Sequence, residues 1–181
     1  MGERRPGTDR AMSARPLEPP DGASHHVGRD SHIVAMWQGE HRFDTGRPGH
    51  PTARVDGSGV TGQSSPDLLL SALATCSAID LVDILAKRRT PVGALTIDVH
   101  ADRRPDPPRR FVRIDIEYRV DGAGIEPLHA ERALDLAFEK YCSVAATIAP
   151  DVAIHTHLVL NGERHAPRRQ VAGAGASGTP R

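Results

Sequence analysis

The segment from Ser64 to Val92, SSPDLLLSALATCSAIDLVDILAKRRTPV, limits the possible folds more than any other part of the chain. Ser65, Pro66 and Asp67 form a helix start: a hydroxyl suited to capping, a proline whose missing N–H costs nothing in the first turn, and a carboxylate at the positive end of the helix dipole. Lys87, Arg88 and Arg89 suit the negative end and Pro91 forbids continuation, so one helix is predicted from Ser65 to about Arg89. Along it Leu68, Leu69, Leu70, Leu73, Ile79, Leu81, Val82, Ile84 and Leu85, spaced by alanines, leave almost no polar face. A helix apolar all round must be covered all round. A short hairpin and two or three further strands cannot cover it, so the sequence predicts that a second copy of the chain does, in an obligate homodimer.

The rest of the chain supplies those strands. HIVAMW and EHRFDT flank Gln38 and Gly39 as an opening hairpin, and TARVD adds a third short strand before the loop GSGVTGQSS. LTIDVHAD sets Leu95, Ile97 and Val99 on one face, and VRIDIEYRV alternates Val112, Ile114, Ile116, Tyr118 and Val120 with charged residues, so the two read as an antiparallel pair joined by RRPDPPRR. Pro127 opens a second helix, in which Leu134, Ala137, Phe138, Tyr141, Ala145 and Ile148 recur at three and four residues until Pro150 stops it. AIHTHLVL is a final strand at the edge. The order predicts an α+β fold with two helices packed on antiparallel sheets.

Residues 1–30 and 164–181 are rich in Pro, Gly, Arg and Ala and lack a periodic apolar face, so they read as a disordered arm and tail around a folded unit of 31–163. The arm has no apolar stretch of the kind a signal peptide or anchor needs, and the apolar run 68–79 is too short to cross a bilayer. Lysine plus arginine total 23 and aspartate plus glutamate total 23, leaving no basic excess for phosphates. Aromatic residues make up only 3% of the chain, too few to stack single-stranded bases, so nucleic acid is not an expected partner.

With 2 cysteines the chain has no disulfide framework, which points to a reducing, cytoplasmic compartment and leaves Cys76 and Cys142 as either buried spectators or chemical groups. The chemical alternative needs a thiolate that attacks and a second thiol near enough to condense with the product. SSPDLLLSALATCSAIDLVDILAKRRTPV resembles the SPxxLLLAALxxCTAxDVVxIL segment of the OsmC/Ohr superfamily, and EKYCSVAATI, residues 139–148, resembles its second-cysteine helix. The resemblance extends over about residues 31–163 and favours the OsmC-like subgroup with the AID and YCSV signatures.

That resemblance implies an OsmC-like fold: an intertwined homodimer with two long central helices wrapped by sheets from both chains. It implies reduction of organic hydroperoxides without a cofactor, with Cys76 as the peroxidatic and Cys142 as the resolving cysteine, restored by a lipoyl-type or other dithiol. Peroxidases of the family hold the thiolate beside an arginine from the N-terminal strands, for which Arg42, Arg47 and Arg54 are candidates, and a glutamate in a Pro-Glu pair. Here that pair is Pro66 and Asp67, one residue nearer the cysteine, so Asp67 is either a shorter substitute or a first-turn dipole residue. Asp80, four residues after Cys76, faces the same way and is expected either to hold an activating arginine or to make a structural hydrogen bond. The competing reading is a non-enzymatic dimeric module that binds a small apolar ligand, with the cysteines as a redox switch or plain core. His155 and His157 share one face of a strand, but no further ligands accompany them, so no metal site is expected.

Overall fold

The computed structural model describes residues 31–172. The arm expected at 1–30 and the end of the tail, 173–181, lie outside the described residues. The chain opens with a three-stranded antiparallel meander, β1 (Val34–Trp37), β2 (Arg42–Gly46) and β3 (Ala53–Asp56). The β1–β2 turn places Gly39 at φ +89° and Glu40 at φ +50°, and the Trp37 indole N–H donates to the Glu40 carbonyl at 2.9 Å. Glycine takes the first of these positions without strain, which is why the hairpin turns there.

α1 spans Ser65–Lys87, with Ser64 rather than Ser65 as its cap. The capping hydroxyl must stand three residues before the carboxylate that answers it, and Asp67 meets that spacing from Ser64. The Ser64 hydroxyl accepts from the Asp67 N–H, while the Asp67 carboxylate accepts from the Ser64 N–H at 3.1 Å and from its hydroxyl at 2.6 Å. The far end closes where Arg89 turns left-handed at φ +64° ahead of Pro91.

A second sheet follows in the order β4 (Ala94–Arg103), β5 (Phe111–Asp121), β6 (Ala153–Leu160), β7 (Glu163–Arg164), with β8 (Arg168–Gln170) also on β6. β4 and β5 form the expected antiparallel pair. β6 runs parallel to β5, which corrects the expectation of purely antiparallel sheets. The helical segment between β5 and β6 carries the chain back to the starting end of β5, the crossover that a parallel neighbour requires. Nor is β6 an edge, because β7 and β8 pair with its other side.

The folded unit therefore continues beyond residue 163, into the segment expected to be disordered. Arg168 forks onto Asp135 at 2.9 and 2.5 Å, and the Gln170 amide donates to Asp135 at 3.2 Å and to Thr156 at 3.0 Å. Polar side chains dock β8, so an apolar period had no means of announcing it.

The second helix is broken, contrary to the single element expected at about 127–149. α2 covers Pro127–Leu136, a π turn covers Ala137–Tyr141, and α3 covers Ser143–Thr147. The Cys142 N–H reaches back to the Ala137 carbonyl at 2.7 Å, one residue further than an α-helical bond. The extra residue turns Tyr141 outward to 50% exposure, although its spacing placed it on the apolar face.

Ile114, Ile116, Tyr118 and Val120 on one face of β5 join Leu73, Leu81 and Leu85 of α1 and Ala130, Ala133 and Leu134 of α2 in the core. Among the described residues α1 alone meets the requirements of a membrane span by length and composition, yet this face of it is sealed against the protein's own sheet and helices. The described residues do not cover its other side: Leu69 is 44% and Ile79 62% exposed.

Candidate active site

Cys76 stands in the middle of α1, half-buried, and Cys142 stands in the break between the π turn and α3, 2% exposed. The two side chains are neighbours, near enough for the Cys76 thiol to act on the ionisation of Cys142. Burial, then the Cys76 side chain beside it, pushes the Cys142 thiol up to about 12. Cys142 thus remains S–H at neutral pH. Its sulfur also accepts from the Ala145 N–H at 3.4 Å, filling the place of a capping oxygen at the start of α3. The break in the helix is what aims this thiol, because it puts Cys142 in extended backbone at the head of a new turn.

Ser77 and Tyr118, neither of which the sequence singled out, form the floor beneath the pair. Both are 0% exposed, and their oxygens are 2.6 Å apart. The single Ser77 hydroxyl proton is directed to the Leu73 carbonyl at 2.8 Å, so Tyr118 is the donor in the Ser77–Tyr118 bond. Burial raises the Tyr118 phenol well above its usual value against the opposing pull of Ser77, and the nearby Cys142 and Cys76 add to the rise. It remains a neutral hydroxyl that ties the residue beside Cys76 to the centre of β5. The only sequence signal was a tyrosine among aliphatic inward positions of a strand, since a buried phenol needs a partner.

The other expected site residues are placed as follows. Asp67 is occupied in the capping box with Ser64. Arg42 pairs with Glu40 at 3.3 Å, Arg54 forks onto Asp44 at 2.5 and 3.1 Å, and Arg47 is exposed beyond the end of β2. Within one chain, therefore, the arginine candidates are engaged elsewhere or lie at the surface. Asp80 has one buried carboxylate oxygen with no partner among the described residues. Burial raises its carboxyl above the usual range, Asp83 adds to the rise and Lys87 opposes it. His157 and His155 both turn to Asp115, at 3.3 and 3.7 Å, as side chains on the polar face of the sheet. No cluster suited to a metal ion occurs among the described residues.

A single-domain α+β scaffold that sets one thiol on a long central helix and a second at a helix break defines the class of protein. The family model described as OsmC-like protein matches residues 56–157, and the chain belongs to this family. Protein YhfA of Escherichia coli strain K12 is 38% identical over 113 residues, which are 62% of this chain and 84% of that protein. The solved structure of a hypothetical protein from Aquifex aeolicus VF5 is similar at a TM-score of 0.67 and 25% identity, covering 74% of this chain and 98% of that one. An OsmC-like protein from Mycoplasma pneumoniae shares the fold at a TM-score of 0.63 with 14% identity, over 73% of this chain and 97% of its own. The α+β, OsmC-like fold expected from the sequence is the fold found.

Proposed function

We propose that the chain reduces organic hydroperoxides through its thiol pair. The observation that carries this reading is the neighbourhood of Cys76 and Cys142, two sulfurs from separate elements, one half-open and the other buried and protonated. The greater exposure of Cys76 and the burial of Cys142 support Cys76 as the attacking thiol and Cys142 as its partner. The Cys76 thiolate attacks the outer peroxide oxygen, the O–O bond breaks, and the alkoxide takes a proton and leaves as the alcohol, with Cys76 as sulfenic acid. The Cys142 sulfur then bonds to the Cys76 sulfur, and its proton departs with the displaced hydroxide as water. A dithiol of the cytoplasm, lipoyl-type or other, returns both sulfurs to thiols as it becomes a disulfide.

A second copy of the chain completes the molecule in this reading. Leu69, Ile79 and Val82 on α1 and Trp37 on β1 are exposed apolar side chains of the kind that a homodimer interface buries. The partner also brings a second set of Arg42, Arg47 and Arg54 as candidates to hold the Cys76 thiolate.

One observation favours a different reading: Asp67 is committed to the cap, and Arg42 and Arg54 are paired within their own chain. A thiol pair without an activating cation acts as a redox switch in a non-enzymatic module and consumes one peroxide per pair. Steady-state turnover of cumene hydroperoxide with excess dithiol separates the two. A peroxidase consumes many equivalents and loses this in a folded Cys76→Ser variant; unchanged turnover in that variant, or one equivalent consumed by the native chain, rejects the proposal.

A further inference from the structure

Oxidation of Cys76 by a peroxide moves a proton for which the reaction proposed above names no carrier. The thiol must give up its proton, and the departing alkoxide, a base about as strong as hydroxide, must receive one. The hydroxyl protons beneath the thiol pair are already committed. The Ser77 hydroxyl donates to the Leu73 carbonyl, and the Tyr118 phenol donates to Ser77. The Cys142 proton belongs to the later step, in which water departs.

Asp80 has an uncommitted atom in the right place. Among the described residues the buried side-chain atoms without a hydrogen-bond partner are Asp80 Oδ2, His155 Nδ1 and His165 Nε2, and of these only the first belongs to the helix that carries Cys76. A carboxylate oxygen out of water and unpaired is costly, so it marks a candidate for chemistry. Asp80 follows Cys76 by one helical turn, so the two side chains are neighbours on one face, about 5–6 Å apart at Cβ. A peroxide group fits that gap: with its outer oxygen on the Cys76 sulfur, its inner oxygen is brought toward the carboxyl. Ile79 and Val82 lie further round the helix, on its exposed side. Burial raises the Asp80 carboxyl, against the pull of Lys87, and so brings its affinity for a proton nearer to that of a thiol.

We propose that Asp80 is a catalytic residue of the peroxide step, whose carboxylate takes the proton of the Cys76 thiol and returns it to the leaving alkoxide. This role presupposes the peroxide reaction proposed above. Its balance closes within the site. Proton transfer turns the Cys76 thiol into thiolate and the Asp80 carboxylate into carboxylic acid. The thiolate then bonds to the outer peroxide oxygen, which keeps its hydrogen, as the O–O bond breaks. The inner oxygen takes the Asp80 proton and leaves as the alcohol, which restores the carboxylate and leaves Cys76 as sulfenic acid. The pair holds a single negative charge throughout, so the thiolate never faces an ionised carboxylate and escapes the repulsion that a fixed charge at Asp80 would exert. Arg42 and Arg54, which pair with Glu40 and Asp44, are not needed for this transfer.

Stopped-flow oxidation of Cys76 in the full chain carrying Cys142→Ser, read as sulfenic acid, tests the assignment with two oxidants. Cumene hydroperoxide releases an alkoxide that must be protonated, whereas peracetic acid releases acetate, which leaves without a proton. Asp80→Asn should slow cumene hydroperoxide about 100-fold or more, and this loss should exceed the loss with peracetic acid about tenfold or more. Asp80→Glu, which keeps the carboxyl, should retain more of the cumene hydroperoxide rate than Asp80→Asn, which keeps the shape. Equal losses with the two oxidants, or as much rate in Asp80→Asn as in Asp80→Glu, make Asp80 a structural residue and overturn the proposal. The solvent deuterium isotope effect of the chain with Asp80 intact serves even where these variants fail to fold. It should be larger with cumene hydroperoxide than with peracetic acid, and equal effects overturn the proposal. A Cys76 that reacts with neither oxidant rejects the peroxide reaction itself, whereas reactivity that Asp80→Asn leaves unaltered rejects this role alone.

Discussion

The hydrogen bond between Ser77 and Tyr118 fixes the residue next to Cys76 to the centre of β5, and its two ends should not be equivalent on mutation. Tyr118→Phe removes the donor, but the Ser77 hydroxyl keeps its bond to the Leu73 carbonyl at 2.8 Å, so no proton is stranded. The cost should be that of one net hydrogen bond, about 0.5–1.5 kcal/mol. Ser77→Ala leaves the phenolic hydroxyl without an acceptor at a position that is 0% exposed. That desolvated group should cost about 1–3 kcal/mol, offset by about 0.5 kcal/mol of better helix propensity. In the double variant neither group remains to be satisfied, so its loss should be smaller than the sum of the single losses by about 1 kcal/mol. Urea unfolding of the four proteins at one fixed concentration reads these differences, and an unchanged m-value guards against an altered unfolded state. Additivity within about 0.3 kcal/mol, or a larger loss in Tyr118→Phe than in Ser77→Ala, would refute the assignment of donor and acceptor.

Cys142→Ser should fold and should accumulate Cys76 sulfenic acid after one equivalent of hydroperoxide, detectable by a dimedone-type label that the native chain does not take up. Asp135→Ala removes the acceptor shared by Arg168 and Gln170, so it should cost about 1–3 kcal/mol and open 164–172 to proteolysis before the rest of the domain; uniform sensitivity would contradict the docking of β8. The Arg113 side-chain bond, together with the bond from His157 and the charges of Arg113 and His155, lowers the Asp115 carboxyl from 3.8 to about 2. A lowered folded-state value gives stability that is complete above the unfolded value and is lost as pH falls toward the folded one. Asp115→Asn should therefore flatten the fall in stability between about pH 5 and 2, and an unchanged slope there would show that the bond carries no weight.

The two cysteines, the long helix and the β4–β5 alternation were legible because each is a local pattern: a capped apolar run, a period of two, a residue type. The Ser64 cap was missed by one position because Ser64 and Ser65 are both able to cap, and only the spacing to Asp67 separates them. The π turn left no trace, since Phe138, Tyr141 and Ala145 keep a helical rhythm that the extra residue overrides in space. β8 escaped because Arg168 and Gln170 are held by Asp135 and Thr156, a contact between distant polar side chains. The parallel placement of β6 is a matter of topology, and its alternating residues are compatible with either direction. Ser77 and Tyr118 read as ordinary members of a helix and a strand until the fold brought them together beside the cysteines.

The central claim is that peroxide joins Cys76 to Cys142. Native chain treated with one equivalent of cumene hydroperoxide, denatured without reductant and mapped by mass spectrometry, should yield one cross-linked pair of peptides containing Cys76 and Cys142, at a mass lower by two hydrogen atoms, and neither single Ser variant should yield it. Stepwise oxygen addition at Cys76 with Cys142 still a free thiol, or oxidation of Cys142 ahead of Cys76, would contradict the account.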